Sequence, residues 1–361
     1  MESTWNFSPY NESTSGVSGD KTYINSSPLS DIAISRQFYI LDAIKNYVKS
    51  NRMMDEATSS LDNISVRLCF SKVANPSIPI LMEYFKKHPS RSCDYSIGGI
   101  LMWAEYFNYE MAIYDSTLFL KGYDPESGLF IYYAPLGELE HEIALSLIRE
   151  DALGNNGESI LISDRECFAD ESDSGSTDDT CFCDKWMEYL YDIERFLHFS
   201  GKKMEKKRNH LNFFLKHFPD SETEVISSKN TCELIDFTRN FEKTHENSPL
   251  FDYEGEQTIK VLENYGRYPF DGLLLRVDGK IIAYSFGEKI GDTFFVHVEK
   301  ADTDYPGAYQ AIASELAKHV KQMYPDVCFL NREEDMGYES LRKSKESYHP
   351  SLLLKKTLSG L

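Results

Sequence analysis

Residues 272–300 read GLLLRVDGKIIAYSFGEKIGDTFFVHVEK, and the punctuation of this stretch decides the fold. Gly272–Val277 and Lys280–Glu288 are two apolar-rich runs separated by Asp278-Gly279. That dipeptide is a strong hairpin signal, because a tight hairpin needs positive φ and these residue types tolerate it best. A third strand, Thr293–Lys300, follows Gly291-Asp292. Working outward, Asp304-Tyr305-Pro306-Gly307 leads into a helix over Ala308–Met323, with Ile312, Leu316, Val320 and Met323 at helical spacing. Asp304 and Pro306 suit a helix start. Beyond it lie a strand at Val327–Leu330, a helix at Tyr338–Ser347 and a last strand at Ser351–Lys355. Upstream, Gln257–Tyr265 reads as a helix.

Hairpin, strand, helix, strand, helix, strand around a mixed sheet is the order of an acyltransferase-type α/β fold. The site of such a fold lies where strands splay apart. The first half of the chain repeats the order without repeating the residues. A helix over Gly99–Phe107 precedes a strand pair, Met111–Tyr114 and Thr117–Lys121, and a further strand, Gly128–Ala134. Two copies of one α/β unit are therefore expected, at 61–163 and 185–361, with the second copy carrying the site. Between them, 164–184 is an acidic insertion or linker rich in Asp, Glu, Ser and Gly. Residues 1–60 form a tail that is polar over 1–30 and holds an amphipathic helix over 31–50, a candidate to dock on the body or to recruit a protein.

The chain has 361 residues with 41% hydrophobic content, enough for two compact cores. Lys and Arg total 38 against 58 acidic residues, a formal net charge of -20. Such a body repels nucleic acid and anionic membrane on average, so any polyanion must be met by a local basic patch. Apolar runs such as Ile78–Met82 are too short to span a bilayer, and the N-terminus lacks a secretory pattern. The seven Cys are scattered, and free thiols in a reducing cytoplasm are the simplest account. The nine His show no paired zinc-type spacing, so no metal site is expected.

Chemistry concentrates in Asn331–Tyr348, NREEDMGYESLRKSKESY. A strand end delivers Asn331, Arg332, Glu333, Glu334 and Asp335 together, and Gly337 permits a tight turn. One face of the following helix then aims Arg342, Lys345 and Tyr348 back at the strand end. The plain alternative is a capped helix with surface ion pairs. On Thr293–Lys300, alternation groups Phe295, His297 and Glu299 on one face and Phe294, Val296 and Val298 on the other. His297 and Glu299 there suit deprotonating or positioning an acceptor amine, or merely bonding across the sheet. The helix Lys202–His217 is basic, with Met204, Leu211, Phe214, Leu215 and Phe218 as its buried stripe. Its Lys203, Lys207 and His210 share a face, with Lys202, Lys206 and Asn209 alongside, a landing strip for phosphates or a solvated surface. Asp302–Ala308 has a single Gly, a Pro and two Asp where a pyrophosphate-binding turn would need bare amides, which argues against a tight coenzyme A site there.

The runs LNREEDMGYESLRKSKESYHP, GLLLRVDGKIIAYSFGE, FFVHVEKAD and SGKKMEKKRNHLNFF, in this order, resemble the bacterial family related to the C-terminal domain of phosphatidylglycerol lysyltransferase. The resemblance covers roughly residues 90–356. It implies two tandem GNAT-like domains and transfer of an aminoacyl group from aminoacyl-tRNA to a lipid or another acceptor. The chain departs from that pattern in its tail, its acidic insertion and the lack of a membrane-spanning portion.

The expectation is a soluble, cytoplasmic aminoacyl- or acyltransferase with no tightly bound cofactor. Aminoacyl-tRNA or acyl-CoA would be its co-substrate and tRNA a partner, with a non-catalytic RNA- or ligand-binding module as the alternative. Asn331, Arg332 and Tyr348 would position the ester, with His297 and Glu299 beside them. Glu333 and Asp335 would hold a cationic amino-acid side chain. Arg342, Lys345 and Arg208 would meet the terminal phosphates.

Overall fold

The computed structural model describes residues 67–155, 158–168, 181–182, 184–244 and 248–361. The expected helix at 31–50, the tail before it and most of the acidic stretch lie outside them. The first half runs β1 (Ser71–Lys72), helices Ile78–Lys87 and Ile97–Trp103, β2 (Glu110–Tyr114), β3 (Thr117–Asp124), β4 (Leu129–Tyr133), helix His141–Leu153 and β5 (Ser159–Phe168). Then come β6 (Cys181–Phe182), β7 (Glu188–Asp192), helices Ile193–His198 and Glu205–His217, and β8 (Glu222–Val225). Helices Thr231–Thr244 and Pro249–Glu263 precede β9 (Asp271–Val277), β10 (Lys280–Ile290) and β11 (Thr293–Ala301). Helix Ala308–Met323, β12 (Phe329–Glu334), helix Glu339–Glu346 and β13 (Leu352–Gly360) complete the chain.

Local chemistry sets these boundaries. Asp278 and Gly279 both take positive φ, 51° and 77°, as the β9–β10 hairpin requires. Ser248 accepts a hydrogen bond from the Phe251 amide and Pro249 occupies the first turn, so that helix starts well before Gln257. Asp164 to Phe168 belong to β5 rather than to a linker, because they pair with β13 from Leu352↔Phe168 to Lys356↔Asp164. Two apolar assignments fail at helix ends: Leu215 is 48% and Met323 55% exposed.

All thirteen strands of the described residues join one sheet, with β6 as a side branch. In each half an antiparallel meander ends in a parallel pair, β4 with β5 and β11 with β12. The last strand of each half then crosses over. β7, which follows β5 and the two-residue β6 in the chain, lies antiparallel to β12, and β13, which follows β12, lies antiparallel to β5. The exchanged strands also pair with each other, from Leu352↔Leu190 to Leu354↔Glu188. This reciprocal exchange makes the two copies one hydrogen-bonded unit.

Helices cover both faces. In the second half Ala308–Met323 and Glu205–His217 pack a core around Phe214, Ile312 and Phe294, while the opposite face gathers Leu234, Leu262, Tyr284 and Phe286. Each such side chain contributes about 1.5–3 kcal/mol on burial. Gly287 is required where β10 meets β11, since a Cβ there would lie 1.7 Å from the Phe295 carbonyl oxygen. Beside it the register skips from Phe286↔Val298 to Gly287↔Val296, a bulge that leaves His297 unopposed. The expected alternation therefore breaks: Phe294 and Val296 enter one core, Val298 another, and every residue of β11 is buried.

Candidate active site between the two halves

The pairing of β11 with β12 stops at Phe295↔Asn331. Beyond it β12 follows β7 through an irregularity between Asn331 and Glu334, with Glu333 at φ 58°. Met336, at φ 52°, and Gly337, at 81°, continue the distortion. Non-glycine residues in this region are held there against local strain, a feature that clusters at functional sites. Here it turns Arg332, Glu333 and Glu334 together into the wedge between the splayed strands. They line a cavity of about 130 Å³ opposite His297 and Glu299 of β11. The first half closes the far side with an apolar and aromatic wall that includes Trp103, Phe107, Tyr109 and Tyr133, joined by Trp186 from just before β7.

The charged wall is tightly organised. Arg332 Nη2 donates to Glu299 Oε1 at 2.6 Å, and the guanidinium lies 4.7 Å from the Tyr348 ring centre. Its Nη1 is buried and has no hydrogen-bond partner among the described residues. Burial opposes the Arg332 charge, but Glu299 outweighs it and holds the guanidinium above its usual pKa. Burial lifts the Glu299 carboxyl against the pull of Arg332, Lys345 and Lys207.

His297 is clamped between Glu333 Oε1 at 2.7 Å and Glu288 Oε1 at 2.9 Å. Burial works against its charge, yet the two carboxylates raise it to about 9. An imidazolium held on both nitrogens is a poor base, so His297 serves this wall as a fixed cation. Glu288 also accepts from the Gly98 amide at 2.7 Å, tying the wall to the Ile97–Trp103 helix. Gly98 is obligatory at that approach, since a Cβ would sit 2.2 Å from the imidazole.

Lys345 is buried and donates from Nζ to the backbone oxygens of Arg332 and Glu334, fastening the distorted strand. Burial lowers it to about 8.

Several predicted residues support the wall instead of lining the cavity. Asn331 donates to Glu188 and the Arg91 carbonyl and accepts from the Glu333 amide at 2.7 Å, which fixes the turn of the chain. Asp335 is fully buried and accepts from Tyr189, Arg342 and the Gly337 amide. It therefore has no free lone pair for a substrate cation, and Arg342 is turned onto it rather than toward phosphate. Tyr348 is the ring beneath Arg332, stacked on Phe196, with its hydroxyl accepting from Gln310.

The basic helix divides. Lys207 points inward, 2% exposed and 3.9 Å from the Tyr348 ring centre, so it belongs to the buried site. Arg208 caps the preceding loop through the Phe199 and Gly201 carbonyls. Lys206 is exposed and His210 half-buried.

Sequence reading missed a second cluster beside Glu334. Lys356 Nζ, buried in β13, donates to Ser92, Asp94, Asp164 and Glu188 at 2.5–2.8 Å. The opposing carboxylates raise Lys356 strongly despite burial, while burial pushes Asp164 up to about 6. Asp94, Asp164 and Glu188 have the spacing of a cation site, but the Lys356 ammonium already occupies its centre. Cys93, Asp94 and Glu334 form the other convergent group. These residues stand up to 264 positions apart, and no local motif joins them.

Two meander-plus-parallel-pair units facing one cavity across exchanged strands define a tandem GNAT-like protein. The family described as phosphatidylglycerol lysyltransferase, C-terminal, matches residues 85–358, and the chain belongs to it. A conserved protein of unknown function from Bacteroides thetaiotaomicron has a similar structure, with TM-score 0.69 and 27% identity over 81% of this chain and 99% of that one. The C-terminal domain of a putative lysylphosphatidylglycerol synthetase from Agrobacterium fabrum shares the fold, with TM-score 0.52 and 13% identity over 79% and 92%. An uncharacterised protein of Mycoplasmoides gallisepticum is 27% identical over 175 residues, which is 47% of this chain and 54% of that protein. The chain thus spans about half the length of that curated relative. Among the described residues no helix is long and apolar enough to cross a membrane.

Proposed function

We propose that this chain is an aminoacyltransferase that moves an aminoacyl group from aminoacyl-tRNA to an amine or hydroxyl acceptor by direct attack. The observation that carries this reading is the buried Nη1 of Arg332, without a partner among the described residues, on a side chain that lines the cavity. A buried guanidinium N–H left without a partner is costly, and a ligand oxygen would satisfy it. Aimed at an ester carbonyl, it stabilises the oxyanion that forms on attack. Glu333 and Asp94, both on the cavity, suit the ammonium of an amino acid. An activated ester needs no covalent intermediate, so orientation and fixed charge suffice. The exposed lysines around 202–206 suit the phosphates of the donor.

An acyl-CoA donor is the second reading. Against it, Gly307, at the start of the Ala308–Met323 helix, packs on the Glu205–His217 helix so closely that a Cβ would lie 2.3 Å from the His210 carbonyl. The helix N-terminus that would hold a pyrophosphate is crowded there.

The test presents tRNA charged with labelled amino acids, and acetyl-CoA in parallel, to the protein. Phosphatidylglycerol vesicles and a small-molecule cell extract serve as acceptors. Transfer from charged tRNA that collapses in Arg332→Ala is expected. Turnover of acetyl-CoA alone overturns the donor assignment.

A further inference from the structure

Two cavity-lining acids, Glu254 and Glu334, have no part in that transfer, and Glu254 is already held by Lys300 at 3.1 Å. Glu334 stands two residues beyond Arg332 on β12, the spacing that places both on one face of a strand, and both line the cavity with the left-handed Glu333 between them. Its carboxyl makes no hydrogen bond within the described residues, whereas Glu188, Asp335 and Glu288 nearby are each held by several donors. A carboxylate oxygen of Asp94, the Cys93 sulfur and an oxygen of Glu334 lie within 4.8 Å of one another. The arrangement therefore keeps a reactive acid in contact with the space that the ester must occupy.

We propose that Glu334 is the catalytic carboxyl of the transfer, relaying a proton from the attacking nucleophile to the leaving ribose hydroxyl. The inference rests on the aminoacyl-transfer reading. As the acceptor nitrogen or oxygen bonds to the ester carbon, it yields its proton to one Glu334 oxygen. The other oxygen delivers its own proton to the ribose oxygen as the carbon–oxygen bond breaks. The carboxyl is neutral before and after, and no other reactant is consumed.

The surroundings suit a neutral resting form. Burial and the charge of Asp94 push the Glu334 carboxyl well above the usual range, with Glu188 and Glu333 adding to the effect and Lys356 opposing it. These groups face it from the turn before the Ile97–Trp103 helix, from β7, from β12 itself and from β13. Lys345 binds its backbone oxygen, at 2.5 Å. The relay should weaken on the alkaline side, as the neutral carboxyl is lost.

The experiment compares wild type, Glu334→Gln and Arg332→Ala on two donors: charged tRNA and the para-nitrophenyl ester of the same amino acid, whose leaving group needs no proton. Glu334→Gln should lower kcat on charged tRNA by about 10²–10⁴-fold, the range for general acid–base catalysis, and recover most of it on the para-nitrophenyl ester. Arg332→Ala should recover nothing. Equal loss of Glu334→Gln activity on both donors, or none on either, overturns the proposal while leaving the transferase reading intact. If the Gln variant does not fold, wild type decides: alkyl and para-nitrophenyl esters should react at similar rates, and a steep dependence on leaving group overturns it. A wild type inert on every donor overturns the transferase reading and the relay with it.

Discussion

The two parallel pairs, β4–β5 and β11–β12, occupy equivalent places in the two halves and have opposite contents. In the first half the pairing runs from Phe130↔Ser159 to Tyr133↔Ile162 and continues through the Ala134 amide to the Ile162 carbonyl. Its polar groups satisfy one another: the Tyr109 and Tyr133 hydroxyls bond at 2.9 Å, and Tyr95 donates to the Ala134 carbonyl. In the second half the pairing ends at Asn331, the backbone kinks, and charged side chains fill the gap. One unit thus supplies a mostly apolar wall, with Asp94 as its charged member, and the other a polar wall in which the Arg332 Nη1 has no partner among the described residues. A duplicated fold can divide the work of a site in this way, because exchanged strands fix one wall against the other.

The sharpest way to break this contrast is at the exchanged strand. Lys356→Met removes the ammonium that pairs with Asp94, Asp164 and Glu188 and should cost about 3–5 kcal/mol, as for any broken buried ion pair. Tyr133→Phe on the apolar wall should cost well under half of that, and urea unfolding compares the two. Arg332→Ala should lower transfer from charged tRNA by about 10²–10³-fold, the scale of a lost oxyanion donor. Tyr133→Phe should change it only a few-fold if the first half merely shapes the cavity.

The pH dependence sharpens the comparison further. His297 has a folded pKa raised to about 9 against the ordinary 6.5. Its stabilisation is therefore full below pH 6.5 and is lost as pH rises through 9, on the order of 3 kcal/mol. Unfolding of wild type against His297→Gln over that window measures it, and a parallel pair of curves would rule it out. Gly98→Ala drives a methyl into His297 and should cost about 1–3 kcal/mol, the range for overpacking. The smallest effect is expected at Lys206→Ala, which should leave kcat unchanged and reduce the salt dependence of tRNA binding by about one unit of slope if it meets a phosphate.

Much of the framework was legible in the chain. The Asp278-Gly279 hairpin and the Ala308–Met323 helix follow from turn chemistry and periodicity, which act over a few residues. The site segment stood out by its density of charge. Its internal roles did not, because a run of charges does not say which members are consumed by the fold. Asp335 and Arg342 neutralise each other, Asn331 is tied to Glu188, and Lys207 turns inward against the apparent face of its helix. Asp94, Glu188 and Lys356 carry no local signature, since they meet only through strands that crossed between the halves.

Residues 272–300, read alone, determined a hairpin and a third strand and placed the opening of the fold after them. Only the tertiary structure decided that β11 bulges at His297, that β12 kinks at Glu333, and that an aromatic wall from the other half closes the cavity. The physical reason is range. Turn and helix preferences are fixed by neighbours a few residues away. Desolvation, ion pairing and the direction of a side chain on a distorted strand depend on whatever the rest of the chain packs against it.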